Sequence, residues 1–271
     1  MSHSLALQQL KKHVQRWRII ADKSIFLTQE IGNRLLERLD LIKLQPNTIL
    51  DISNIYCHQA NALLRRYQDA TVVVSNINKD ILVNPTSLWQ RWQRHEKNMV
   101  ADFHQLPLAD ESIDFIFSNS LLYYSWDLPA LIHEWFRVLK PGGLLLFSSL
   151  GPDTLKELRI VQQSKMTSFI DMHDIGDLLL QQGFSDPVMD MEMLMIYYQQ
   201  FKQLLQDVRV NNLLHTPVCY PGKQYFLELE QRYSTLAMPD NTLPVTCEII
   251  YGHAWKLNKP AKNNPNEFAI P

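Results

Sequence analysis

The chain has 271 residues, 46% of them hydrophobic and 20% charged, and a formal net charge of -2. This is a globular composition that can bury a substantial core, and its near-neutral charge gives no reason to expect nucleic acid as a partner. The three cysteines have no metal-ligand spacing, and no apolar run is long enough to span a membrane. We therefore expect a soluble, cytoplasmic protein without a metal site or a membrane partner.

The order of the predicted elements indicates an α/β sheet. Residues 1–45 carry apolar residues at helical spacing and are predicted to form N-terminal helices. From residue 46, short apolar strands alternate with amphipathic helices, a pattern typical of a parallel sheet covered on both faces. The predicted strands are 48–52, 71–75, 99–101, 113–118, 143–149, 187–196 and 245–256, and the predicted helices among them are 57–68, 86–97, 128–139, 154–161 and 173–182.

The chain then divides into regions with separate roles. The alternating core spans 46–196, and two helices within 197–244 are expected to form a lid over the strand ends. Residues 245–257 supply the closing strand. The Pro- and Asn-rich tail, 258–271, is expected to be disordered.

Polar residues follow four of the predicted strands, and open α/β sheets bind ligands at such strand ends. These residues are Asp51, Asn76, Asp102 with the adjacent Phe103, and Asn119. An aspartate after a strand is also a common turn or helix cap. Asn76 has the same alternative as a turn residue, because its amide offers one acceptor oxygen where a ribose would use two. Asp102 would accept from an exocyclic amine while the N–H of Phe103 donates to the same ring.

The turn after the first strand lacks the glycines that a nucleotide site usually has. No glycine occurs between Gly32 and Gly142, and the turn holds Ser53, Ile55 and Cys57. Close approach of a backbone to a ligand normally requires glycine. Ile55 is the least suitable of the three because its branched Cβ restricts the backbone and fills space.

Two further motifs follow the fourth strand. Tyr123 and Tyr124 would wall a pocket, although aromatic residues near a helix start are often core. Lys140-Pro141-Gly142-Gly143 predicts a type II turn between a helix and a strand, with proline at its second position and glycine at its third.

With these motifs the sequence resembles the class I S-adenosylmethionine-dependent methyltransferases, and in particular the malonyl-acyl carrier protein O-methyltransferases of biotin synthesis. The resemblance is carried by residues 34–46, 139–147, 151–159, 169–176, 187–191 and 251–255. It implies a Rossmann-like α/β fold whose seven-stranded sheet is mostly parallel with the last strand antiparallel, plus a helical lid. It also implies S-adenosyl-L-methionine as cofactor, malonyl-acyl carrier protein as partner, and methylation of the free carboxyl of the malonyl thioester.

The resemblance assigns two groups of site residues. The cofactor group is Asp51, Ser53, Ile55, Asn76, Asp102, Phe103 and Asn119. The catalytic group is Tyr123, Tyr124 and a lid-side cation for the substrate carboxylate, for which Arg159, Lys156, Arg209 and His173 are candidates. Arg159 is our first choice because it lies in a family-matching stretch, although each of the four also fits a solvated helix position.

The departures from the family pattern lie at the cofactor. Ser53, Ile55 and Cys57 replace the family's glycines, and Asn76 replaces its ribose-binding acid. Three interpretations therefore stay open: a methyltransferase with a remodelled cofactor site, a non-catalytic protein of the same fold that acts as a binding partner or scaffold, and a hydroxylase-like assembly factor for respiratory complex I.

Overall fold

The structure, a computed structural model, describes residues 3–21, 26–53, 59–78, 82, 96–162, 168–213 and 222–257. The strands are β1 Thr48–Asp51, β2 Thr71–Asn76, β3 Glu96–Val100, β4 Ile113–Ser118, β5 Leu139–Leu150, β6 Phe184–Tyr198 and β7 Leu243–Lys256. The α-helices are α1 His3–Ala21, α2 Phe26–Glu37, α3 Ala60–Arg66, α4 Leu128–Val138, α5 Lys156–Val161, α6 Met172–Gln181, α7 Phe201–Val210 and α8 Lys223–Ser234. Short 3-10 turns cover Arg38–Leu41 and Leu122–Tyr124.

The described strands form one seven-stranded sheet in the order β3-β2-β1-β4-β5-β7-β6. The first five strands pair in parallel, whereas β7 is antiparallel to both β5 and β6. From β1 the sheet grows toward one edge through β2 and β3, and then toward the other edge from β4 onward. The switch point therefore lies between β1 and β4, and open α/β sheets bind ligands at such points. The predicted fold class is confirmed.

Each face of the sheet has its own hydrophobic core, because alternate strand residues point to opposite faces. One core joins Phe115 and Phe117 of β4 to α2, α3, α7 and α8, with Leu35 fully buried. The other joins Ile116 of β4 to α1, α4 and α6, with Trp135 fully buried. Both helical layers thus hold the central strands in place and leave their carboxyl ends to form the site.

The predicted boundary between the third strand and the helix before it is wrong. The sequence predicted a helix to residue 97, but Glu96 and Lys97 belong to β3, where they pair with Val72 and Val73 of β2. This strand lies at the edge of the sheet and is partly exposed, so its charged residues look like a solvated helix face. The remainder of that predicted helix, like Ile55, Cys57 and the tail 258–271, lies outside the described residues.

The Pro-Gly turn has the predicted backbone. Gly142 has φ of 78°, as the third position of a type II turn requires. The turn lies inside the long span of β5 and brings the chain from α4 directly back into the sheet. Among the described helices, none combines the length and apolarity needed to cross a membrane.

Candidate active site

At the end of β1 a buried carboxylate is bound by the protein itself. Asp51 is fully buried, and its Oδ1 accepts from the Ser53 hydroxyl at 2.5 Å while its Oδ2 accepts from the Gln59 N–H at 2.6 Å. Gln59 directly precedes α3. The carboxylate therefore connects the two chain segments that flank residues 54–58, which is the turn and cap role that the sequence left open for Asp51.

Ser53 and Asn119 extend this network to the neighbouring strand. The Ser53 hydroxyl accepts from the Asn119 N–H at 3.2 Å. The Asn119 side chain donates to the Thr28 carbonyl of α2 at 2.8 Å and accepts from the hydroxyls of Ser148 and Ser120 at 2.9 and 3.0 Å. The ends of β1, β4 and β5 and helix α2 are thus joined by hydrogen bonds between buried groups.

Helix α2 approaches this network closely at Gly32. A Cβ at Gly32 would lie 2.2 Å from Nε2 of Gln59 and 2.6 Å from Nδ2 of Asn119. No side chain fits at those separations unless its neighbours move. Glycine at this position therefore lets the helix lie directly against the strand ends.

The end of β2 forms a turn. Asn76 is buried, and its Oδ1 accepts from the Asn78 N–H at 3.0 Å. A small recess next to Asn76 is lined by Ile52, Ala101 and Phe103 among others, and it has room for about one water molecule. The structure thus brings Ser53, Asn76 and Phe103 together around one recess at the switch point.

Asp102 is held by the N-terminal helix. Its Oδ2 accepts from Nε2 of His3 at 2.7 Å, and its Oδ1 accepts from the His104 N–H at 2.9 Å. Helix α1 is anchored in this place because Leu10 and Val14 are buried in the core that contains Phe103. No sequence pattern indicated the contact between His3 and Asp102, since the two residues are 99 positions apart.

An aromatic cluster surrounds Asp102. The rings of His104 and Trp126 are 4.1 Å apart, those of Phe103 and Trp126 are 5.3 Å apart, and Nε1 of Trp126 donates to Nδ1 of His3 at 3.3 Å. Burial lowers the pKa of His104 despite the neighbouring Asp102 carboxylate, so its imidazole favours the neutral form. This cluster packs several tilted aromatic rings beside one carboxylate.

A second cluster joins the three predicted catalytic residues. Tyr123 and Tyr124 stack with their ring centroids 4.6 Å apart, and Tyr123 meets Phe169 edge-on at 6.0 Å. The guanidinium carbon of Arg159 lies 5.6 Å from the centre of the same Phe169 ring. The sequence analysis did not name Phe169 as a site residue, although Phe169 begins one of the family-matching stretches, 169–176.

Arg159 is the one member of this cluster with an unsatisfied charged group. Its Nη1 donates to the Pro152 carbonyl, whereas its Nη2 is buried and has no hydrogen-bond partner among the described residues. A buried N–H without a partner costs free energy, more when it is charged. The arrangement fits a site that receives an anion.

The other three candidate cations lie elsewhere. Lys156 is exposed. His173 is 78% exposed, and its Nδ1 lies 2.7 Å from the Asp171 carboxylate. Arg209 packs over the Phe226 ring at 4.5 Å. Contacts recorded for the described residues link only Arg159 of the four to Phe169 and the tyrosines. The described residues also contain no group of three His, Cys, Asp or Glu side chains that could hold a metal.

Comparison with known proteins decides the family. Residues 50–147, from β1 into β5, match the methyltransferase domain family. The malonyl-[acyl-carrier protein] O-methyltransferase of Gallionella capsiferriformans is 40% identical over 249 residues, which cover 87% of this chain and 86% of that protein. Malonyl-[acyl-carrier protein] O-methyltransferase 1 of Coxiella burnetii is 38% identical over 257 residues, covering 89% and 86%. This chain belongs to the malonyl-[acyl-carrier protein] O-methyltransferase family.

Solved structures agree on the fold. A putative methyltransferase from Bacillus halodurans matches with a TM-score of 0.61 at 16% identity, and the match covers 84% of this chain and 99% of that one. The family predicted from the sequence motifs is therefore confirmed by the relatives, and the predicted fold by the strand order and this likeness.

Proposed function

We propose that this protein transfers the methyl group of S-adenosyl-L-methionine to the free carboxylate of a malonyl thioester carried by an acyl carrier protein, a step of biotin synthesis. Family membership gives the reaction class. The single structural observation that carries the proposal is the buried Nη2 of Arg159, which is without a described partner beside the aromatic cluster.

The donor set at the strand ends fits S-adenosyl-L-methionine in part. Asp102 and the ring of Phe103 suit the amine and the flat face of adenine. Asn76 stands where the ribose would bind, but its Oδ1 already accepts from Asn78. Bound there, the cofactor supplies an electrophilic methyl group on a sulfonium. We expect the missing second acceptor at Asn76 to weaken cofactor binding without abolishing it.

The contact between His3 and Asp102 must open for this cofactor to bind. His3 donates to Oδ2 of Asp102, which an adenine amine would use, and the recess has room for only about one water molecule. The first turn of α1, which carries His3, would therefore act as a displaceable cover over Asp102. Ile55 stays a predicted member of the same site.

Arg159 positions the nucleophile. Because Nη1 is engaged by the Pro152 carbonyl, Nη2 offers one hydrogen bond to one oxygen of the malonyl carboxylate. The other carboxylate oxygen would then be free to act as the nucleophile toward the methyl group that the sulfonium of a bound cofactor would supply. The carboxylate is ionised at neutral pH, so alignment and exclusion of water suffice and no general base is required.

Tyr123, Tyr124 and Phe169 supply the apolar wall against which the substrate is held. Helices α7 and α8, within the predicted lid region 197–244, would cover this wall, since both helices pack on the core that contains Phe169. A closed apolar site strengthens the hydrogen bond from Arg159 because water no longer screens it.

The proposal is tested by methyl transfer to malonyl-acyl carrier protein, followed by mass spectrometry of the ester. Arg159→Gln should lower kcat/KM by about tenfold to a hundredfold, the range expected when a charged hydrogen bond of about 1.5–3 kcal/mol is lost. Lys156→Gln, an exposed cation on the same helix, should leave the rate unchanged. Equal rates for Arg159→Gln and wild type would remove Arg159 from the mechanism.

A further inference from the structure

Strand β6 has its apolar and polar residues on unexpected faces. It is the last strand of the sheet order, so β7 pairs with one edge and no strand of the described chain pairs with the other. A solvent-facing strand surface is usually polar. Here the outward positions are Met191, Met193, Met195 and Tyr197, which are 42%, 43%, 42% and 52% exposed.

The covered face of β6 holds the charge instead. Glu192 points toward α2, where Arg34 pairs with it. Leu194, Ile196 and Tyr198 follow on the same face and pack on the core, yet each stays only partly buried. Side chains on both faces of β6 are therefore left partly exposed.

The open edge lacks the usual protection against pairing. Natural edge strands are commonly blocked by lysine, proline or a bulge. Residues 188–198 contain neither lysine nor proline, and the register irregularity of β6 lies before this stretch, between Ser185 and Val188. Met238, which is 41% exposed, lines a groove with Tyr197 and extends the apolar surface.

We propose that this edge binds a second copy of the chain, with two β6 strands paired antiparallel about a two-fold axis at Leu194. In that register Met193 lies opposite Met195 of the other copy, and Met191 lies opposite Tyr197. Glu192 lies opposite Ile196, so no like charges meet. A two-fold interface uses the same surface on both copies, and this stretch is self-complementary in that sense.

The argument for a second copy is this match of the strand with itself. Cross-strand pairs of apolar residues stabilise a sheet, and flexible methionines adapt to such contacts. Shifting the axis to Glu192 would place two glutamates opposite each other, which opposes pairing. The proposal does not depend on the reaction proposed above.

The first test is the mass of the wild-type protein in solution, measured by light scattering across micromolar concentrations. The dimer should have twice the 31.7 kDa mass of one chain. Met193→Lys and Met195→Lys should each shift the protein to the single-chain mass, with an unchanged circular dichroism spectrum to show that the fold persists. Leu180→Lys, at a residue of α6 that is 53% exposed, should stay dimeric.

The second test fixes the register. The double variant Met193→Cys/Met195→Cys should form a cross-linked dimer on mild oxidation, because directly opposed residues reach disulfide distance. The double variant Met191→Cys/Met193→Cys and the single variants Met193→Cys and Met195→Cys should not, since in this register position 191 is not opposite 193 and neither 193 nor 195 is opposite itself. A single-chain mass for the wild type, or a dimer that survives both lysine substitutions, would overturn the proposal, and cross-linking of the second pair would overturn the register.

Discussion

The two ends of the candidate site differ in whether their polar groups already have hydrogen-bond partners within the protein. At the cofactor end, both carboxylate oxygens of Asp51 and the hydroxyl of Ser53 are engaged by neighbouring groups of the protein. At the substrate end, Nη2 of Arg159 is buried with no partner among the described residues. A buried donor without a partner gains a hydrogen bond when it binds a ligand, whereas a group that is already hydrogen-bonded gains less. In the proposed function, the Arg159 end is therefore better prepared for an anion than the strand ends are for the cofactor.

The largest stability effect is expected at Gly32, which lets α2 lie against the cofactor end. Gly32→Ala should lower the free energy of unfolding by about 1–3 kcal/mol, the usual cost of overpacking, because the new Cβ meets Gln59 and Asn119. Urea unfolding measures it. Gly222→Ala is the matched control, since no heavy atom lies within 4 Å of its added Cβ. Equal losses at both positions would show that the cofactor end is not tightly packed.

Ser53→Ala removes only the hydroxyl that joins Asp51 to Asn119. It should lower the free energy of unfolding by about 1–2 kcal/mol, because a buried carboxylate and a buried N–H each lose a partner. Ser112→Ala, whose hydroxyl donates to a carbonyl at an exposed site, should change stability by less than about 0.5 kcal/mol. If both variants unfold alike, the internal network at the cofactor end is not a source of stability.

The sheet could be predicted because the strands alternate with helices in the sequence. The Lys140–Gly143 motif also favours one turn type, a type II turn. The sequence also predicted which strand ends carry polar groups. It did not predict what those groups bind: the bonds from His3 to Asp102 and from Ser53 to Asn119 join residues far apart in the chain. The edge strand β3 was misassigned in part because its half-exposed charges have no clear period.

Asn76→Asp tests whether the cofactor end lacks one acceptor. With a carboxylate, one oxygen keeps the Asn78 N–H, and the other adds an acceptor where the amide has a donor. Binding of S-adenosyl-L-methionine, measured by calorimetry, should tighten by about tenfold, the equivalent of about 1.4 kcal/mol. Asn241→Asp adds the same charge at an exposed turn and should leave the affinity unchanged. An unaltered affinity in Asn76→Asp would show that the missing acceptor at residue 76 is not what limits cofactor binding.

The smallest effect concerns pH. Burial lowers the pKa of His104, and likewise of His13 and His253, below the 6.5 of an exposed histidine. Below pH 6.5 the unfolded chain therefore binds more protons than the folded one, and the free energy of unfolding falls as pH drops through this window. His104→Gln should reduce that slope, and His173→Gln, at an exposed site, should preserve it. Identical slopes in the wild type and His104→Gln would contradict this origin of the pH dependence.

The central claim is that a remodelled cofactor end still serves a functional substrate end. The most direct measurement is transfer of a labelled methyl group from saturating S-adenosyl-L-methionine to malonyl-acyl carrier protein, with the Gallionella capsiferriformans relative assayed in parallel under the same conditions. The account predicts the malonyl methyl ester as product, at a rate that Asn76→Asp increases when the cofactor is subsaturating. No ester from this protein, while the relative converts the same substrate, would contradict it.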